Sequence, residues 1–163
     1  MEEIMIKGYT EEDKNDIMDL ILDIQRNEFE IPISKDDQPD LSDIPNFYQS
    51  GNGNFWVAMN AKNQIIGTIA LIDIGNQQGA LRKMFVKKNY RGRTYNVANL
   101  LLQKLVEWAQ QRNMNEIYLG TTGKFLAAHR FYEKKGFLQI DKNALPNTFP
   151  IMKVDTKFYQ MAI

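Results

Sequence analysis

LRKMFVKKNYRGRTYNVANLLL, residues 81–102, is the stretch whose reading decides the fold. Residues 81–86 alternate around Met84, Phe85 and Val86, as a pleated strand does. Residues 87–93 follow as a loop that sets four cations, Lys87, Lys88, Arg91 and Arg93, around Gly92. From Tyr95 onward Ala98, Leu101, Leu105 and Trp108 recur at helical spacing, and Leu102 and Ala109 widen the stripe. About four N–H groups at such a helix start lack internal partners and face the loop. The helix dipole adds roughly half a positive charge there. This end suits an anion, a phosphate or pyrophosphate above all. A solvated basic turn would carry the same letters, so a second segment has to decide.

Outward from this stretch, 163 residues are expected to form one domain, 1–163, with a proper core. Twenty Lys and Arg balance twenty Asp and Glu, which argues against a nucleic-acid surface or an anionic membrane as the main partner. Cysteine is absent, which rules out disulfides, thiolate metal sites and a cysteine nucleophile and fits a cytoplasmic location. No apolar run follows a basic start in residues 1–13, so no signal peptide is expected. No stretch nears the ~20 apolar residues of a membrane span, so a soluble protein is expected.

In chain order, residues 4–9 read as a strand, and Thr10 with Asp13 as a capping box using Asp in place of Glu. The helix that follows buries Ile17, Leu20, Ile21 and Ile24 and fades near Glu28. Residues 30–39, with Pro32 and Pro39, read as an irregular loop, and residues 41–49 as a short helix carrying Phe47 and Tyr48. These two regions are expected either to wall an acceptor pocket or to be a surface connection with two anchoring aromatics. Strands are expected at 54–59, 64–74, 79–86, 116–119, from 137, and at 154–162, with helices ending near 112 and spanning 124–135. The order indicates an α/β domain on a mixed sheet.

The second informative segment is TTGKFLAAHRFYEKKGF, residues 121–137. On a helix, Phe125, Ala128, His129 and Tyr132 share one face, and Gly136 closes it behind Lys134 and Lys135. Phe125, Phe131 and Phe137 read as core. Tyr132 is ambiguous, because a buried tyrosine needs a partner for its hydroxyl.

The strand LRKMFV, then YRG, a long helix and, some forty residues later, AHRFYEKKGF together resemble the GNAT acyltransferase superfamily over most of the chain. The resemblance implies a sheet of about seven strands, splayed at the cofactor site and flanked by about four helices. It implies acetyl-CoA as co-substrate, without a metal, and a primary amine of unidentified identity as acceptor. Met84, Phe85 and Val86 would lie along the pantetheine arm, and an N–H near Phe85 would polarise the thioester carbonyl. Arg91, Gly92, Arg93, Thr94, Tyr95 and Asn96, with the N–H of Val97, would cradle the pyrophosphate. Tyr132 would protonate the departing thiolate as general acid. Phe125 stands where the family often has an asparagine that contacts the pantetheine.

The loop departs from the family's pattern. Thr94 and Asn96 stand where glycines usually let the backbone approach the phosphates, and Asn tolerates φ > 0 better than Thr. The central strand carries Arg82 and Lys83 where the family often has a glutamate base, so Asp73, Glu28 and His129 remain weak candidates and the base is unassigned. Arg82 or Lys83 would instead suit an acidic group on the acceptor. An acetyltransferase is expected; a catalytically weakened acyl-CoA-binding sensor or partner module is the alternative. A homodimer is compatible with the sequence, which does not fix the oligomeric state.

Overall fold

Seven strands pair into one sheet in the computed structural model, which describes residues 2–163. They are β1 (Met5–Gly8), β2 (Asn54–Met59), β3 (Ile65–Gly75), β4 (Gln78–Val86), β5 (Glu116–Thr121), β6 (Leu138–Ile140) and β7 (Lys157–Ala162). Their spatial order is β1-β2-β3-β4-β5-β7-β6, and every neighbouring pair is antiparallel except β4 with β5. Four α-helices accompany them among the described residues: α1 (Lys14–Leu22), α2 (Ile44–Phe47), α3 (Val97–Gln111) and α4 (Leu126–Lys134). This is the expected mixed sheet with its flanking helices.

Each face of the sheet has its own core. On one, Val97, Leu101 and Leu105 of α3 pack against Trp56, Ile69, Leu71 and Ile117. On the other, Ile17 and Ile21 of α1 meet Tyr48, Phe55, Val57 and Ala70. Full burial of an aliphatic side chain contributes about 1.5–3 kcal/mol, so these two stripes hold the helices in place. Close seating of α3 depends on Gly67: a Cβ there would meet Leu101 Cδ1 and Val97 Cγ1 at 3.1 Å and the Phe85 carbonyl at 3.2 Å.

Two local events shape the middle of the sheet. The parallel ladder of β4 and β5 runs only from Gln78↔Glu116 to Ala80↔Tyr118, after which both strands continue unpaired on their facing edges. Between Thr68↔Phe85 and Ala70↔Arg82, moreover, β4 carries one residue more than β3, a bulge. Lys83 sits in it with φ +51°, and its carbonyl accepts the Thr68 hydroxyl at 2.6 Å. The bulge breaks the simple alternation expected for residues 81–86. Leu81, Met84 and Val86 join the α3 core and Phe85 the opposite one, whereas Lys83 reaches Asp40.

Other corrections are local. The first helix opens through a short 3-10 turn, with the Thr10 N–H donating to the Asp13 carboxylate at 3.0 Å, and its last turn widens to π geometry over Asp23–Glu28. The helix expected at 41–49 divides into a 3-10 turn, Pro39–Ser42, and the single turn of α2, because Pro45 has no N–H to continue the ladder. α3 begins at Val97 and α4 at Leu126, later than read. The last strand begins at Lys157 instead of 154, since residues 152–155 form a turn closed by the Met152 N–H on the Asp155 carboxylate at 2.9 Å.

Gly67→Ala is expected to lower stability by about 1–2 kcal/mol, because helix and strand must separate to admit the methyl group. Gly8→Ala, where nothing lies within 4 Å of the added Cβ, should stay within about 0.5 kcal/mol. Urea unfolding of the two variants beside the wild type checks the contrast.

Candidate active site

Where β4 and β5 part, a cavity of about 590 Å³ opens between them. Residues 81–86 of β4 form one wall; Gly120 and Thr121 of β5 with Phe131 and Tyr132 of α4 form another. With no strand across from it, the inner edge of β4 past Ala80 leaves N–H and C=O groups facing the gap. At one end lies the turn before α3. Asn96 adopts the left-handed conformation with φ +57° and Gly92 has φ +98°, so both turn residues that need this region are ones that tolerate it. Thr94 needs no positive φ. The N–H groups of Val97, Ala98 and Asn99 meet no acceptor among the described residues, which leaves the helix start able to bind an anion.

Of the residues singled out from the sequence, Met84, Phe85, Val86, Arg91, Gly92, Arg93, Asn96, Phe125 and Tyr132 all line this cavity. Thr94, Tyr95 and Val97 do not. Tyr95 packs on Tyr90 with ring centroids 4.7 Å apart, and Val97 is buried beneath the helix. The Arg91 side chain is already engaged: Nη2 donates to Glu28 at 2.7 Å, Nη1 binds the other carboxylate oxygen, and Nε donates to the Val86 carbonyl at 2.7 Å. This clamp ties the π-wound end of the first helix to the basic turn. Phe125 is the residue before α4, not part of its inner face, and its ring meets Phe29 at 4.8 Å and Phe85 at 6.0 Å across the cavity. Of the three phenylalanines read as core, only Phe137 is fully buried.

Tyr132 is 5% exposed, and its hydroxyl has no partner among the described residues. Among the described residues no side-chain oxygen or nitrogen sealed from solvent lacks a partner. The Tyr132 hydroxyl therefore reaches the cavity surface. Burial pushes its pKa up, with Tyr159 adding to the effect, so the phenol stays protonated at neutral pH.

The three candidate bases do other work. Glu28 pairs with Arg91; Asp73 accepts the N–H groups of Asn52 and Gly75 in a turn; His129 Nε2 lies 2.9 Å from the Thr122 carbonyl. Sequence reading missed a buried polar network on the other side of the cavity. Lys83 Nζ donates to Gln38 Oε1 at 2.5 Å and lies 3.7 Å from Asp40, which accepts the buried Tyr48 hydroxyl. Gln38 in turn exchanges hydrogen bonds with Gln25 at 2.9 and 3.0 Å. Ile31 and Ile33 of the 30–39 loop line the cavity, and of the two aromatics expected as anchors in 41–49 Tyr48 is fully buried while Phe47 is exposed. Asp155 also lines the cavity, and burial raises its pKa against the opposing effects of the Met152 N–H, Arg82 and Lys83. Only the tertiary placement of the 152–155 turn brings it there.

The sequence profile of the Acetyltransferase (GNAT) family matches residues 18–137. The fold superposes on a GNAT-family acetyltransferase from Staphylococcus aureus with a TM-score of 0.94 at 42% identity, covering 98% of this chain and 99% of that one. An acetyltransferase from Streptococcus agalactiae follows at 0.93 and 29%, with 98% of both chains covered. The N-acetylaspartate synthetase of Xenopus tropicalis is 37% identical over 105 residues, 62% of this chain and 37% of that protein. The matched stretch therefore spans little more than a third of that curated relative.

Burial holds the Lys83 ammonium down at about 8, against the pull of Asp40, whereas an unfolded lysine titrates near 10.5. Between those values the unfolded chain binds the extra proton, so this group's contribution to stability rises with pH. Unfolding free energy should gain on the order of 2 kcal/mol between pH 8 and pH 10 in the wild type relative to Lys83→Met. Taking the difference removes the tyrosines, which titrate in both proteins.

Proposed function

The chain belongs to the GNAT acetyltransferase family, and from that premise we propose that it moves an acetyl group from acetyl-CoA to a primary amine by direct attack. The reading treats residues 1–163 as one acetyltransferase domain working in the cytoplasm. The observation that carries it is the unpartnered Tyr132 hydroxyl on the wall of a cavity between two splayed strands.

The donor fits this cavity by the chemistry of its walls. The free amides of Val97, Ala98 and Asn99 suit a diphosphate. The unpaired edge of β4 beside Met84, Phe85 and Val86 suits the two amides of a pantetheine arm. An N–H of that edge holds the thioester carbonyl and stabilises negative charge as it develops on the oxygen. The neutral amine attacks the carbonyl carbon, the N–C bond forms and the C–S bond breaks. Tyr132 gives its proton to the departing sulfur, and the proton lost by the amine restores the phenol through solvent. Burial keeps that phenol protonated beforehand, as a general acid must be.

The relatives named as N-acetylaspartate synthetases make aspartate one acceptor to include in a screen. A CoA-binding module without catalysis has no use for a buried phenol held unpaired, and this favours the enzyme. Thiol release from acetyl-CoA, followed over a panel of amines, tests the reading. Tyr132→Phe should lower kcat about 10²–10³-fold while KM for acetyl-CoA stays within about threefold. Equal rates in wild type and variant would remove Tyr132 from the chemistry, and absence of turnover with tight CoA binding would leave the sensor.

A further inference from the structure

Arg82 is the feature of the cavity that acetyl transfer does not use. The residue is 8% exposed and lines the cavity, yet among the described residues the one hydrogen bond its guanidinium makes is from Nη2 to the Met152 thioether at 2.9 Å. Thioether sulfur is a weak acceptor. Among the described residues no carboxylate oxygen lies within 4.0 Å of Arg82. A guanidinium this deeply buried is ordinarily paired, because removing its charge from water is costly. Among the described residues no sealed side-chain nitrogen lacks a partner, so the spare N–H groups of Arg82 are open to solvent, and the residue itself lines the cavity.

The surrounding charges define what belongs there. Lys83, next in sequence, is committed to Gln38 and Asp40, and Asp40 is shared with Tyr48. Asp155 stands on the same turn as Met152, whose sulfur meets Arg82 and whose N–H meets the Asp155 carboxylate. The wall therefore offers an unpaired cationic fork close to a carboxylate. A phosphate or a lone carboxylate would pair with the fork but meet repulsion from Asp155, whereas a zwitterion brings a carboxylate for the fork and a cation for Asp155.

We propose that the acceptor is an amino acid: its carboxylate binds Arg82 in place of the Met152 thioether, and its ammonium is drawn toward Asp155. This assignment rests on the acetyl-transfer reading. Arg82 here sets specificity and takes no part in bond making. Opposite charges on acceptor and wall are matched end for end, which orients the amine as well as holding it.

The test uses the full chain, acetyl-CoA and a set of L-amino acids, each beside its own carboxamide. The amide's amine is less basic and more often neutral, so reactivity alone would favour it. In the wild type kcat/KM for the best amino acid should exceed that of its amide about a hundredfold. Arg82→Gln should erase the preference by lowering kcat/KM for the acid about a hundredfold, with the amide changed less than about threefold. Arg82→Lys, which keeps charge but loses the fork, should recover part of it. KM for acetyl-CoA, unchanged in both variants, reports an intact fold. If acids and amides are acetylated alike, or Arg82→Gln slows both equally, the assignment falls while acetyl transfer stands. If no amino acid or carboxamide releases thiol while another amine of the wider panel does, this assignment falls and acetyl transfer stands; if no amine of that panel does, the transfer reading falls and takes this one with it.

Discussion

A β-sheet that stops pairing in its own middle leaves buried backbone amides without partners, and the rest of this molecule is arranged around that fact. β4 and β5 share three residue pairs and then separate. They tolerate the separation because each is held on its outer side, β4 by β3 and β5 by six pairs with β7. The gap stays open because side chains from α4, the π-wound turn and the 152–155 turn occupy its rim without sealing it. An unpaired edge at the surface would invite another strand. Recessed between two strands, the same edge meets only what fits a narrow cleft.

The bulge in β4 then decides which side chains face the cleft. An inserted residue shifts the phase of the pleat, so the strand beyond it presents the opposite alternation. Arg82 and Lys83 thereby both escape the α3 core, which takes Leu81 and Met84 on either side of them. Holding Lys83 at φ +51° costs about 1–2 kcal/mol for a residue with a Cβ. The Thr68 hydroxyl on its carbonyl offsets part of that strain, whereas the ammonium's bonds to Gln38 and Asp40 fall short of its own desolvation.

Much of this was legible in the letters. Periodicity located the strands and helices, and the pairing of a basic turn with FYEKKGF singled out Tyr132 and the β4 wall. What escaped had physical reasons. A bulge is a property of two strands together, so nothing in residues 81–86 alone announces that alternation fails at Lys83. Arg91 reads as a phosphate cation until Glu28, distant in sequence, is seen to take its charge. Asp155 and Met152 lie in a turn whose place beside Arg82 follows from the pairing of β7 with β5. Asp73, Glu28 and His129 were reasonable bases by residue type, and geometry gave each another task.

The ties that define the cleft join remote parts of the chain: Glu28 to Arg91 across 63 positions, Lys83 to Gln38 across 45, Arg82 to Met152 across 70. Contacts between residues so far apart form slowly, because chain closure must come before their reward. The hairpins β2–β3 and β3–β4 and the helix α3 are local and can assemble early. The cleft draws on all of them and on the 152–155 turn besides, so it is expected to form late, after the scaffold that carries it.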